Sequence, residues 1–173
     1  ETRQFYFNEI NSRLQVEHCV TELATGLDIV KEQIRIASGM PLQCSQDDIR
    51  FDYHAMQCRI MAEDPTRNFI PSPGVISRLR LPHGSNIRID EGIYEGSEVS
   101  IYYDSLLMKI MSWGRKREYS IARMKRALSE IRVEGIHTTI PFHKALLEDE
   151  DFVSGRYTTD IINKPELRKR IGR

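Results

Sequence analysis

Hydrophobic and polar positions change period several times along this chain. Residues 4–10 form an apolar run that reads as a strand, and residues 11–18 continue it as an extended loop. Across this stretch the residues alternate. Glu9, Asn11, Arg13, Gln15 and Glu17 fall on one side, and Ile10, Leu14 and Val16 on the other. A period of two predicts an extended segment with one side against a core. From Thr21 the spacing lengthens. Leu27, Val30, Ile34 and Ala37 recur at three- and four-residue steps, which predicts one amphipathic helix stopped by Gly39 and Pro41. Residues 43–50 are polar and acidic and read as a joint between subdomains.

Residues 53–61 are mixed apolar and predict a strand with Arg59 inside it. Arginine in such a strand is costly to bury unless paired, and Glu63 or Asp64 at the strand's end could pair with it. Three prolines and a glycine make residues 65–74 a loop. Residues 75–81, 86–90 and 99–103 read as short strands between glycine-containing turns. Residues 106–113 are apolar enough for a strand or a buried helix, and periodicity does not decide. Residues 117–132 give the clearest helix, with Ile121, Met124, Leu128 and Ile131 on one face. Pro141 suits the first turn of a further short helix containing Ala145, Leu146 and Leu147. Residues 164–173 are basic and polar and read as a solvated tail. The chain is therefore expected to be α+β.

Composition narrows the chemistry. Twenty-five basic and 25 acidic residues give a net charge of zero, which argues against nucleic acid or an anionic membrane as the main partner. No apolar run approaches the length of a membrane span. Cys19, Cys44 and Cys58 are odd in number and lack CxxC spacing, so free thiols in a reducing compartment are expected. The five histidines show no close metal-ligand pairing. The chain opens without a methionine, in what reads as the middle of a hairpin, and is expected to be a piece of a longer protein.

The polar row near the amino end is chemically unusual. In an extended chain Glu9 and Asn11 lie about 7 Å apart at their backbones, so both side-chain oxygens can reach one hard cation such as Mg²⁺. Arg13 and Glu17 lie too far along to share it directly unless the chain bends. The row divides into a candidate metal end and a candidate acid/base end. A solvated sheet edge, with Arg13 bridging the glutamates, is the plain alternative.

The wording of several blocks adds to this reading. Phe5 through Glu22, with Asn11-Ser12-Arg13-Leu14-Gln15-Val16-Glu17-His18 at its centre, resembles the signature segment of biotin carboxylases. These are the ATP-grasp enzymes that make carboxybiotin within acetyl-CoA, propionyl-CoA, pyruvate and related carboxylases. The likeness continues at Gly26 to Gln33, Gln57 to Pro65, Pro71-Ser72-Pro73-Gly74 and Tyr102-Tyr103-Asp104-Ser105.

The resemblance implies the C-terminal end of an ATP-grasp domain over residues 1–45, then the mixed α/β biotin carboxylase C-terminal domain over 46–173. It implies an ATP-dependent ligase that activates bicarbonate as carboxyphosphate and moves the carboxyl group to a ureido nitrogen of biotin. Glu9 and Asn11 match the family's positions for Mg²⁺ or Mn²⁺. Arg13 matches the bicarbonate-holding arginine, with Gln15 and the Val16 N–H beside it. Glu17 matches the general base, a task favoured by burial or nearby negative charge. Arg59 matches the arginine that stabilises the biotin enolate, and Asp104 supports the biotin pocket. The implied cofactors and substrates are ATP, the metal ion, bicarbonate and carrier-bound biotin. The implied partners are the remaining N-terminal part of the enzyme, the biotin carboxyl carrier protein, a carboxyltransferase and a second copy in a homodimer, with Arg88 in the pairing region. A cytoplasmic or mitochondrial-matrix location follows.

Many family members carry proline where Cys19 stands. The glycine-rich lid, the adenine-pocket lysines, a second metal-binding glutamate and a biotinylated lysine are absent from the sequence, so this chain alone is expected to be inactive. Two other readings remain: a carbamoyl-phosphate synthetase-like ligase that also activates bicarbonate, and a non-catalytic module for subunit pairing or carrier docking.

Overall fold

The computed structural model describes residues 4–171. Residues 4–10 carry no regular structure, and Ile10 is 78% exposed. The expected strand does not form because no strand among the described residues offers them a ladder. Alternation holds only from Arg13 to His18, where exposed and half-buried residues succeed one another.

The single helix expected after Thr21 is two: α1 (His18–Thr25) and α2 (Ile29–Ala37). Gly26 separates them. At φ 79° it takes a left-handed cap, returning its N–H to the Glu22 carbonyl at 2.8 Å. Asp28 then restarts the helix by accepting the Lys31 N–H at 2.9 Å. Both signals lie in the sequence, but an apolar spacing that runs through them hides the break.

The strands are β1 (His54–Met61), β2 (Glu63–Asp64), β3 (Ile70–Pro71), β4 (Gly74–Val75), β5 (Arg78–Arg80), β6 (Ile87–Glu91), β7 (Glu98–Val99), β8 (Leu106–Gly114) and β9 (Arg132–Glu134). Interleaved and following are α3 (Arg117–Glu130), α4 (Ile140–Leu147), α5 (Glu150–Ser154) and α6 (Pro165–Ile171). The main sheet has the order β1-β8-β6, all antiparallel, with β8 central. Residues 106–113 are therefore strand rather than helix. Short pairs β2–β3, β4–β7 and β5–β9 surround this sheet.

The two faces of the main sheet differ chemically. Cys58 of β1, Ile110 of β8 and Ile89 of β6 lie directly opposite one another. With Ile60, Met108 and Ile87 they pack against Ile121, Met124, Ala127 and Leu128 of α3, forming the main core. One residue along, the other face carries Arg59, Lys109 and Asp90 in a single cross-strand row. Helix α1 covers that face. Direct cross-strand neighbours point the same way, so the register alone makes one side oily and the other ionic.

Two further expectations change. Strand β7 stops at Val99, because Ser100 Oγ takes the Tyr102 N–H and Asp104 takes the Leu106 N–H, folding 100–105 into turns. Tyr102 and Tyr103 stand almost fully exposed there. The expected solvated tail is helix α6 as far as Ile171. Its Leu167 and Ile171, one turn apart, pack on Phe142 and Ala145 of α4. Residues 172–173 lie outside the described residues.

Candidate active site

Arg59 projects from β1 on the ionic face, where Glu17 arrives from the residue preceding α1. The guanidinium Nη2 and the Glu17 carboxylate form a direct ion pair across 42 positions of sequence. The side chains are 41% and 54% exposed, respectively. Glu63 and Asp64 do not pair with Arg59. Glu63 accepts from Ser105 Oγ at 2.6 Å, and Asp64 accepts from Thr66 Oγ1 at 2.6 Å. The surroundings expected for a base at Glu17, burial or a negative neighbour, are not found. It faces solvent and a cation.

The row continues under α1. Lys109 Nζ lies 3.0 Å from Asp90 Oδ2, and Arg88 Nε lies 2.8 Å from Asp90 Oδ1. Arg88 Nη1 also reaches Glu22 Oε2 of α1 at 3.2 Å. Arg59, Lys109 and Arg88 are thus matched by Glu17, Asp90 and Glu22, and α1 is seated on the sheet by its own Glu22 and by Glu17 just before it. Burial by itself would raise the Asp90 carboxyl, but hydrogen bonds from Arg88 and Lys109 outweigh it and bring it down to about 2.

Cys19 lies fully buried within this network, its Sγ 3.3 Å from Lys109 Nζ and 3.4 Å from Asp90 Oδ2. Burial pushes the thiol up despite Lys109, which keeps it protonated and a poor nucleophile. His18, Cys19 and Glu22 bring ligand atoms within 4.8 Å of one another. Lys109 and Arg88 already engage two of the three, so the local charge disfavours a cation there.

Upstream, Asn11 Nδ2 donates to Glu9 Oε1 at 3.4 Å, so the two heads meet in solvent. An adjacent carboxylate and amide oxygen fit part of the oxygen shell of a hard cation and leave most of it to other groups. Arg13 is exposed, and the only partner of its guanidinium among the described residues is the Leu14 carbonyl at 3.4 Å. The Val16 N–H meets no acceptor among the described residues. The Gln15 carbonyl accepts from His18 Nδ1 at 2.6 Å, which turns the backbone into α1. Asp104 makes no hydrogen bond or ion pair with Glu17 or Arg59 among the described residues; it holds the turn before β8 by accepting the Leu106 N–H at 2.8 Å.

The ordering of these parts matches known proteins. A family model described as the biotin carboxylase C-terminal domain covers residues 57–164, and one described as the ATP-binding domain of the carbamoyl-phosphate synthase L chain covers residues 1–45. The chain belongs to the biotin carboxylase family. Biotin carboxylase 1 of Bacillus subtilis is 51% identical over 160 residues, 92% of this chain and 36% of that protein. The biotin carboxylase of Haemophilus influenzae is 50% identical over 155 residues, 90% of this chain and 34% of its own length.

Among solved biotin carboxylases, the domain dimer of the Hydrogenobacter thermophilus 2-oxoglutarate carboxylase superposes with a TM-score of 0.92 at 45% identity. The match covers 94% of this chain and 36% of that one. That structure holds MgADP, ADP and bicarbonate. The complete pyruvate carboxylase of Rhizobium etli also gives 0.92, at 44% identity, over 96% of this chain and 16% of that one. The chain thus spans about a third of the length of the curated biotin carboxylases it matches. No helix among the described residues is long and apolar enough to cross a membrane.

Within this biotin carboxylase fold, reading the sequence missed the roles of Lys109 and Asp90. The signal was a single lysine in the otherwise apolar run 106–111. Only the register shows that it stands beside Arg59 and opposite Asp90.

Proposed function

We propose that this chain supplies the bicarbonate- and biotin-handling end of an intact biotin carboxylase. The parent would be an ATP-dependent ligase that carboxylates carrier-bound biotin through carboxyphosphate. The observation that carries the proposal is the meeting of Glu17 and Arg59 in one solvent-exposed ion pair. The family match over 57–164 supports biotin rather than carbamoyl phosphate as the product side.

Arg13 is the bicarbonate clamp in this reading. Its planar fork suits a carboxylate-shaped anion, and the Val16 N–H and Gln15 lie just downstream. Glu17 takes the bicarbonate proton. The phosphate released as carboxyphosphate gives up its carboxyl group takes the ureido N–H proton of biotin, and Arg59 answers the negative charge that develops there. The two roles are coupled. An exposed ion pair of this kind is worth about 1 kcal/mol or less, so substrate can part it. Protonation of Glu17 removes the charge that holds Arg59, freeing the guanidinium as the negative charge on biotin appears. Asp104 supports the biotin pocket only through the loop it folds.

Glu9 and Asn11 would hold Mg²⁺ or Mn²⁺, which when bound neutralises phosphate charge. We assign residues 1–45 to the end of the ATP-grasp domain and 46–173 to the C-terminal domain. The remaining N-terminal part, the carrier protein, a carboxyltransferase and a second copy complete the assembly. Three free cysteines support a reducing compartment, the cytoplasm or the mitochondrial matrix.

The test uses the full-length parent with Arg59→Met. Biotin carboxylation should fall by about a hundredfold or more while bicarbonate-dependent ATP hydrolysis without biotin persists. Unchanged biotin carboxylation would overturn the assignment.

A further inference from the structure

Strand β1 is an outer strand of its sheet, so the backbone groups along its free side need partners from elsewhere. At Arg59 and Met61 these come from Thr139 and from His143 of α4. Thr139 Oγ1 donates to the Arg59 carbonyl at 3.1 Å and accepts from the Met61 N–H at 3.0 Å. The Thr139 N–H donates to the Met61 carbonyl at 3.1 Å. His143 Nε2 lies 2.8 Å from the same Arg59 carbonyl. A carbonyl only accepts, so Nε2 carries the proton. Two donors therefore converge on the backbone oxygen of the residue whose side chain pairs with Glu17.

The need for this hold is visible in the ladder. Register between β1 and β8 is regular through Arg59 and Ile60 and slips between Ile60 and Met61. Pairing resumes only with a shifted register, Met61 opposite Leu106, so the strand bends just past Arg59. His143 is itself fixed by an edge-to-face contact with the neighbouring Phe142 ring, at 5.4 Å between centroids. Burial pushes its pKa down, which favours the neutral ring.

We propose that His143, aided by Thr139, is a positioning residue for Arg59. It sets the peptide from which the guanidinium extends and so decides where that cation meets the charge developing on biotin. The proposal rests on assigning Arg59 to the biotin step. A peptide tilt of about 10° moves a head group about 6 Å away by about 1 Å, and a misplacement of that size costs about a hundredfold in rate.

The experiment compares His143→Leu and His143→Gln in the full-length enzyme. Gln keeps an N–H donor near Nε2, and Leu does not. The readout is the ratio of biotin carboxylation to biotin-independent, bicarbonate-dependent ATP hydrolysis. Leu should lower that ratio by about tenfold or more, through kcat rather than the KM for biotin, and Gln should restore it to within about threefold. Equal ratios in Leu, Gln and the parent would overturn the proposal. So would equal losses in Leu and Gln, or a loss shared by both reactions.

Should His143→Leu fail to fold, Thr139→Val and Thr139→Ser give the same comparison at the other donor. Val should lower the ratio and Ser should not. A normal ratio in both would overturn the proposal. Arg59→Met separates the two levels of the argument. If it leaves biotin carboxylation intact, the assignment of Arg59 fails; if it abolishes the step while His143→Leu is normal, only the positioning role fails.

Discussion

Replacing Asp90 by Asn tests whether the ionic face is held together by charge. The Asp90 carboxylate is shared by Arg88 and Lys109 beneath α1, at 2.8 and 3.0 Å. Burial resists its ionisation, yet those hydrogen bonds carry it from the ordinary 3.8 down to about 2. At about 1.4 kcal/mol per pKa unit, that difference corresponds to about 2 kcal/mol. The side chain is 29% exposed, so solvent screens only part of it. The folded pKa lies below the unfolded one. Asp90 therefore contributes its full stabilisation above about pH 4 and loses it as pH falls to about 2.

Asn keeps the shape and one acceptor but no charge. Urea unfolding, followed by the fluorescence of Trp113, the chain's one tryptophan, should show the variant less stable by about 2 kcal/mol at pH 7. Measured against the parent across pH, this gap should close towards pH 2, because the titration of every other carboxylate is common to both proteins. A gap that stays constant with pH, or no gap at pH 7, would refute the reasoning.

Other consequences follow from the packing. Ile110 is fully buried at the centre of the sheet, so Ile110→Ala should cost about 2–5 kcal/mol in the same assay. Gly135 sits at φ 103°, and a Cβ there would lie 2.1 Å from the Val75 carbonyl oxygen. Gly135→Ala should therefore destabilise by about 2 kcal/mol or more, seen as a lowered Tm. In the native protein a thiol reagent should label Cys44 rapidly and leave Cys19 and Cys58 until unfolding. Both of these are buried, and burial pushes Cys58 up to about 12. Mass spectrometry of the labelled peptides checks this.

What the sequence revealed depended on how local the cause was. Helix α3 was legible because Ile121, Met124 and Leu128 form a stripe that ends up buried, with Ile131 buried just past its end. The break at Gly26 was also written locally, as a glycine followed by the capping Asp28, but hydrophobic spacing spoke louder. The failed strand at 4–10 has a different origin. An apolar run shows that a segment can pair, not that a ladder is present. The site was half legible for the same reason. The unusual row ending in Glu17 and the lone charge of Arg59 stood out as residue types. Their meeting depends on antiparallel register, and so do the roles of Lys109 and Asp90. Thr139 and His143 were silent, because their task is to bond a backbone oxygen and nothing in their side chains announces it.

The central claim is that Glu17 and Arg59 act as one unit in the biotin-carboxylating step. A double-mutant cycle in the full-length enzyme tests it most directly, with kcat for carboxylation of free biotin measured for Glu17→Gln, Arg59→Met and the double variant. If the two act together, the double variant is slowed by about the same factor as the slower single variant. If instead the two losses multiply, base and cation work independently and the shared site proposed here is wrong.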